Sequence, residues 1–260
     1  MTNPRIHPTA VVEAGAELAE GVEIGPYAVV GSRVRLGART RIGAHAVVTG
    51  NTVIGEDNQI FPFASVGQIP QDLKYRGEDS RLEIGHRNII REFATVHLGT
   101  AGGGMVTRIG NDNLLMNYTH IAHDCQIGNH VIVANGTQLA GHVTVEDYAV
   151  LGALSGIHQF VRVGESAIVG AGSMVSQDVP PFCNATGNRA TLHGLNLVGL
   201  TRRGFSPELV RQLKRAYRIV FRSGLTVPEA AARVRAEMPG VAEVERFVRF
   251  IEGSTRGVCR

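Results

Sequence analysis

Four of the ten histidines in this sequence, His120, His123, His142 and His158, fall close to an 18-residue spacing, and Asp124 directly follows His123. A neutral imidazole can take a hydroxyl proton at physiological pH, and imidazole is also the commonest metal ligand. Such a cluster therefore admits general-base catalysis, a metal site or a structural polar ladder. No serine–histidine motif and no carboxylate pair competes for the chemistry. Asp124 can serve His123 only if a corner intervenes, because neighbours on a strand point to opposite faces. His7, His45, His86 and His130 lie outside the cluster and are expected to be solvated.

What must position these residues is a repeat of six. Every sixth residue from Ile6 to Val66 is Ile, Leu or Val; the frame resumes at Ile84, Ile90 and Val96, slips by one, and runs on from Ile109 to Val175, 26 positions in all. Glycine often follows the aliphatic residue, as at Gly25, Gly37, Gly55, Gly85, Gly110 and Gly128, and a small or β-branched residue often stands four after it, as at Ala28, Val34 and Thr40. A period of six suits neither a helix nor a simple alternating strand. It suits a short strand, a tight corner and another short strand. Three hexads then close a triangular coil with the aliphatic residues stacked inside. In this frame His123, His142 and His158 fall on one face of successive coils, with His120 at the preceding corner. Residues 67–83 leave the repeat and return in frame, and residues 98–106 produce the slip. Polar excursions from a flat-sided coil are favoured places for a site.

The hexads define a mainly β domain over residues 1–183. After Pro180-Pro181 the pattern turns helical, and residues 184–260 form a second, α-helical domain. Ser206-Pro207 reads as N-cap and N1 of a helix ended by Gly224. Thr226 with Glu229 forms a capping box for a second helix that stops at Pro239-Gly240, and a third follows to about Glu252. Such helices can cap strand edges left open at the end of a coil. Charge divides along the same line. Residues 1–183 carry 12 Lys+Arg against 17 Asp+Glu, a net −5, and residues 184–260 carry 14 against 6, a net +8. That excess suits an anionic partner. Nucleic acid is disfavoured because no basic run is interleaved with stacking aromatics. No apolar stretch approaches the length of a membrane span, and Met1-Thr-Asn-Pro-Arg5 shows no apolar core of a signal peptide. Cys125, Cys183 and Cys259 are odd in number and widely spaced, which favours reduced thiols in a cytoplasmic protein.

The hexads resemble the left-handed parallel β-helix of the hexapeptide-repeat acyltransferases. Narrower segments resemble one family among them: Gln71-Asp-Leu-Lys-Tyr75, Asp112-Asn-Leu-Leu115, His120-Ile-Ala-His-Asp-Cys125, Leu139-Ala-Gly-His142, His158-Gln-Phe160, Gln177-Asp-Val-Pro-Pro181, Arg202-Arg-Gly-Phe205 and Ser254-Thr-Arg-Gly257. They are similar to the UDP-N-acetylglucosamine O-acyltransferases of lipid A biosynthesis, and the likeness runs the length of the chain. It implies transfer of an R-3-hydroxyacyl group from acyl carrier protein to the sugar 3-hydroxyl. The acyl group rides on the carrier's phosphopantetheine, so neither a metal nor a separate cofactor is expected.

The resemblance also assigns residues. It makes His123 the general base, Asp124 its support and the Gly141 N–H the oxyanion donor. Asp72, Lys74, His97, His120, His142, His158 and Gln159 would line the sugar and acyl-pantetheine cleft. Asn196 and Arg202 would contact the nucleotide and Arg203 a phosphate. Ala171, with Ile168 beside it, would gauge acyl length and give a medium-to-long preference. Val198 stands where the resemblance implies an acidic residue, and Ala171 where glycine is frequent. The family's homotrimer, with clefts between neighbours, is the expected assembly. Two rivals share the coil. The related N-acyltransferases carry a uridine-binding domain for which the hexads, starting at Ile6, leave no room. A γ-type carbonic anhydrase would hold stoichiometric zinc and has no use for the basic tail or the 67–83 excursion.

Overall fold

The structure, a computed structural model, describes residues 3–260; Met1 and Thr2, the start of the run read for a signal peptide, lie outside the described residues. The hexads wind into a left-handed parallel β-helix built of three sheets. Sheet I has 11 strands, from Arg5–Ile6 to Thr191–Leu195; sheet II has nine, from Val11–Val12 to Met174–Val175; sheet III has eight, from Glu17–Leu18 to Arg162–Val163. Most strands are two residues long, and each repeat aliphatic residue pairs with its equivalent one coil away, as in Leu115↔Val133↔Leu151. Two-residue strands persist because each pairs with its equivalent in an adjacent coil, so no strand stands alone.

All the repeat aliphatic residues except Ile6, Val12 and Leu18 are buried. Those three lie at the open N-terminal end, where Ile6 is 46% exposed. A buried polar ladder joins them inside: Asn58, Asn88 and Asn113 each donate from Nδ2 to a glycine carbonyl of the next coil at 2.8, 2.9 and 2.9 Å. The repeat glycines are required by the closeness of successive coils. A Cβ on Gly110 would stand 2.5 Å from the Gly128 carbonyl oxygen.

Most turns between strands contain a residue at positive φ, and the three corners differ in character. The I–II corner stacks the exposed rings of Tyr27, His45, Phe63, Phe93 and Tyr118, with centroids 5.0–5.2 Å apart. The III–I corner alternates charge through Arg39, Asp57, Arg87 and Asp112. The II–III corner emits both excursions. The chain leaves sheet II after Gln68 and rejoins sheet III at Arg81, then leaves again after His97 and rejoins at Val106. The Ala101 N–H donates to Glu78 Oε1 at 3.1 Å, joining the two excursions.

At the other end sheet I continues past residue 183 through Cys183–Thr186 and an antiparallel partner, Thr191–Leu195. Four helices follow: α1 (Leu197–Arg202), α2 (Pro207–Arg222), α3 (Val227–Glu237) and α4 (Ala242–Glu252). Ser206 caps α2, and Thr226 and Glu229 form the capping box of α3. Leu213, Ala216, Val234, Phe247 and Ile251 of α2, α3 and α4 join the core that includes Phe182 and Val179, so the helices cover the end of the coil. No described helix is long and apolar enough to cross a membrane.

Candidate active site

Asp124, His142 and Phe160 follow one another up the II–III corner at φ of 61°, 62° and 64°. This left-handed conformation is what a straight strand lacks. It swings the Asp124 carboxylate back toward its own neighbour, and His123 Nδ1 donates to Asp124 Oδ2 at 2.8 Å. The Asp124 side chain is fully buried. It also accepts from the Thr100 N–H at 2.9 Å and the Thr100 hydroxyl at 2.6 Å, both from the second excursion. Gly103 of that excursion lies so close that any Cβ there would overlap the carboxylate. A buried charge needs this density of donors.

The His123 ring lies across Gly141, where a Cβ would stand 2.5 Å from His123 Cε1. His123 Nε2 and the Gly141 N–H make no hydrogen bond to any described residue. That ring nitrogen also lies close to the glycine, 2.6 Å from where a Gly141 Cβ would stand. His142 meets His123 edge-on at 5.0 Å and stacks on Phe160 at 4.3 Å. Its Nδ1 is 3.8 Å from Asp124 Oδ2.

His120 and His97 form a second edge-on pair at 4.9 Å, and His120 Nδ1 is 2.7 Å from the Thr95 hydroxyl. Burial pushes His97 down to about 4, with the neighbouring His120 and His123 adding to the effect. Burial likewise lowers His120, helped by His123. It lowers His142 too, against the opposing pull of Asp124. Lowered in this way, the three imidazoles are neutral near pH 7.

His158 stands apart from the other rings. It lines a groove of about 590 Å³ along the outer face of sheet II, with His120, Gln138, Ala140, Gly156, Met174, Ser176 and Arg189. Its Nδ1 faces Arg256 Nη2 at 3.2 Å. Gln159 is exposed, and its carbonyl oxygen accepts from Arg256 Nη1. From the first excursion, Asp72 accepts the Lys74 N–H at 2.9 Å and exerts its charge on His142, while the Lys74 ammonium has no partner among the described residues.

The residues matched to nucleotide contacts lie elsewhere. Asn196 is buried, donates to the Ser166 carbonyl at 2.9 Å and caps α1. Arg203 pairs with Glu165 at 2.9 Å and lies 3.7 Å over the Tyr148 ring. Both therefore sit at the III–I corner. Arg202 is exposed and has no partner among the described residues. Ala171 is exposed at the I–II corner and Ile168 half-buried on sheet I; neither lines the sheet II groove. Met174 does, and it lies over Gly156, where a Cβ would meet its Sδ at 2.8 Å.

Sequence reasoning alone did not find Thr100, Gly103, Met174 or Arg256. The signals available were the slip that holds Thr100 and Gly103 and the Ser254-Thr-Arg-Gly257 segment that holds Arg256. Among the described residues, one set of three side chains could share a metal ion, His123, Asp124 and His142, with donor atoms within 4.8 Å. Asp124 Oδ2 in that set already accepts two hydrogen bonds.

Known proteins carry the same pattern. A family model described as UDP N-acetylglucosamine O-acyltransferase, domain 2, matches residues 178–259, and a bacterial transferase hexapeptide model matches residues 15–50 and 107–141. An acyl-[acyl-carrier-protein]–UDP-N-acetylglucosamine O-acyltransferase of Myxococcus xanthus is 58% identical over 256 residues, covering 98% of this chain and 99% of the relative. One from Burkholderia lata is 52% identical over 260 residues, with the same coverage. Among solved structures, the UDP-N-acetylglucosamine O-acyltransferase of Moraxella catarrhalis superimposes with a TM-score of 0.95 at 42% identity, covering 98% of this chain and 99% of that one. The Arabidopsis UDP-N-acetylglucosamine acyltransferase does so at 0.85 and 39%, covering 98% and 100%.

Proposed function

Because the chain belongs to the acyl-[acyl-carrier-protein]–UDP-N-acetylglucosamine O-acyltransferases, the acyltransferases of lipid A biosynthesis, we propose that its II–III corner moves an R-3-hydroxyacyl group from acyl carrier protein to the 3-hydroxyl of UDP-N-acetylglucosamine, with His123 as general base. The observation that carries this reading is the His123–Asp124 pair. Nδ1–H is committed to a buried carboxylate at 2.8 Å, so the free Nε2 bears the lone pair.

In the proposed reaction Nε2 takes the proton of the sugar 3-hydroxyl as the oxygen attacks the thioester carbonyl carbon. The carbonyl electrons move onto oxygen, and the Gly141 N–H donates to that oxyanion. Collapse breaks the carbon–sulfur bond, and the pantetheine sulfur leaves with the proton held on His123. Asp124 stabilises the imidazolium between these steps. Asp124 Oδ2 would have to give up its bonds to His123 and Thr100 to hold a metal, which favours the base reading. Asp72, Lys74, His97, His120, His142, His158 and Gln159 would line the cleft, the neutral imidazoles serving as hydrogen-bond partners.

A homotrimer completes this scheme. Asn196, Arg202 and Arg203 lie at the III–I corner and His123 at the II–III corner, so a neighbouring copy would bring its nucleotide contacts to this chain's base. Arg203, already paired with Glu165, would release part of that pairing to reach a phosphate; Arg202 is free to do so at once. The acidic carrier would dock on the basic helices, where Lys214 and Arg218 of α2 are exposed and have no ion-pair partner among the described residues. Ala171 and Ile168 would limit the acyl chain beyond Met174. The three free, buried cysteines suit the reducing cytoplasm.

The test is a mass-spectrometric assay with UDP-N-acetylglucosamine and a ladder of 3-hydroxyacyl carrier proteins. Wild-type protein should give acylated sugar nucleotide with one favoured chain length, and His123→Ala should lose about 10²–10⁴-fold in rate. No product with any donor would reject the substrate assignment, and equal rates in both proteins would reject His123 as the base.

A further inference from the structure

Arg256 lies 98 residues beyond His158 in the sequence, yet its guanidinium faces that ring. The tail reaches it because residues 254–259 run beside the end of sheet II. Ser254 Oγ donates to Asp178 Oδ2 at 2.8 Å, the Asp178 N–H to the Gly257 carbonyl at 3.0 Å, and the Cys259 N–H to the Asp178 carbonyl at 2.9 Å. Arg256 Nε donates to the Ser176 carbonyl at 3.2 Å. Its two terminal nitrogens then address two groups of one neighbouring pair: Nη1 donates to the Gln159 carbonyl, and Nη2 stands 3.2 Å from His158 Nδ1.

This geometry decides a tautomer. A guanidinium only donates, so the nitrogen that faces it must present a lone pair. The alternative partner of His158 Nδ1 is the Gln159 carbonyl oxygen at 3.1 Å, which would require Nδ1 to carry the proton. Arg256 already supplies that oxygen with a donor. It therefore satisfies both acceptors at once and leaves the ring proton on Nε2, which has no partner among the described residues.

We propose that Arg256 is a positioning residue of the transfer reaction: it holds His158 as the Nε2–H tautomer, so that a neutral donor faces an oxygen of the bound substrate in the sheet II groove. The catalytic part of this inference rests on the function proposed above; the tautomer does not. A carbonyl or hydroxyl oxygen in the groove would find a donor already oriented, whereas the other tautomer would offer it a lone pair.

The experiment is ¹⁵N-edited imidazole NMR of the full-length protein labelled at histidine, with His158→Gln identifying the resonance. Wild-type His158 should show the Nε2–H pattern. Arg256→Met, which keeps an unbranched flexible stem and removes the donors, should move His158 to the Nδ1–H pattern as it bonds to Gln159. Arg256→Lys, which can still donate, should retain the wild-type pattern. In the transfer assay Arg256→Met should lower kcat about tenfold with little change in KM for the sugar nucleotide, and Arg256→Lys should restore most of it.

An Nδ1–H pattern in the wild type overturns the proposal without any variant, as does an Nε2–H pattern in folded Arg256→Met. A changed tautomer with unchanged kcat overturns the catalytic part. If the wild type transfers no acyl group to any acceptor, the reading of the reaction fails, and the spectra still decide what Arg256 does to His158.

Discussion

Asp112 and Asp124 occupy the same kind of corner in the same conformation, at φ of 58° and 61°, and share nothing else. Asp112, at the III–I corner, is held from solvent-exposed Arg87 by a two-pronged pair at 2.7 and 2.8 Å. The Arg87 guanidinium, through hydrogen bonding, keeps its carboxyl below the usual range. Asp124, at the II–III corner, is sealed beneath the second excursion and bonds to Thr100 and His123. The coil alone makes a carboxylate at a corner into a rung of a surface charge ladder. An excursion laid over the corner turns the same carboxylate into the buried partner of a histidine. Chemistry here comes from what covers the corner.

The largest test of that contrast is the same substitution at both places. Asp124→Asn should lower the transfer rate about 10²-fold or more, because an amide can donate to His123 Nδ1 and put the ring proton on the wrong nitrogen. The rate with saturating donor and acceptor checks this, and a loss under threefold would remove Asp124 from the scheme.

A smaller effect concerns stability and acid. His97, in the buried strip beside the II–III corner, is about 4 in the folded protein against an ordinary 6.5, chiefly through burial. Below pH 6.5 the unfolded chain binds a proton there that the folded one refuses until about pH 4. Unfolding free energy should therefore fall as pH drops through this window, by about 1 kcal/mol per pH unit from this residue. Above pH 6.5 the term is constant. Urea titrations of wild type and His97→Asn at several pH values check it: the variant should show a shallower slope, and parallel slopes would refute the assignment.

The smallest effect is at the corner without a cover. Asp112→Asn should cost under about 1 kcal/mol in stability, as exposed ion pairs do, and leave the transfer rate within twofold. A loss of activity comparable to that of Asp124→Asn would erase the distinction between the corners.

Much of this molecule is legible in one dimension. The hexads locate the strands because an aliphatic residue must enter the coil interior once per side, and that demand repeats every six residues. The slip at 98–106 marks the cover of Asp124, and the capping residues Ser206, Thr226 and Glu229 mark two helices. Other features leave a fainter trace. The coil arithmetic passed over His97 because the slip separates it from the frame of His120, although Thr95 and His120 are register partners. The short helix α1 is only six residues long and has Asn196 as its one clear boundary signal. His158, grouped with the other histidines by spacing, keeps company with Arg256 instead.

Local sequence thus determines the coil, its corners, the helices at its end and the fact that chemistry-bearing residues gather on one side. These follow from short-range rules: periodic burial, close approach at glycine and capping of helix ends. Which groups bond is decided in three dimensions. His123 meets Asp124 because a left-handed corner overrides the alternation of a strand. Asp124 stays buried because Thr100 and Gly103 fold over it, and His158 meets Arg256 because the tail returns to the end of sheet II. Hydrogen-bond partners 24 or 98 residues apart leave no period to read; only the closed coil, which fixes its corners in space, brings them within reach.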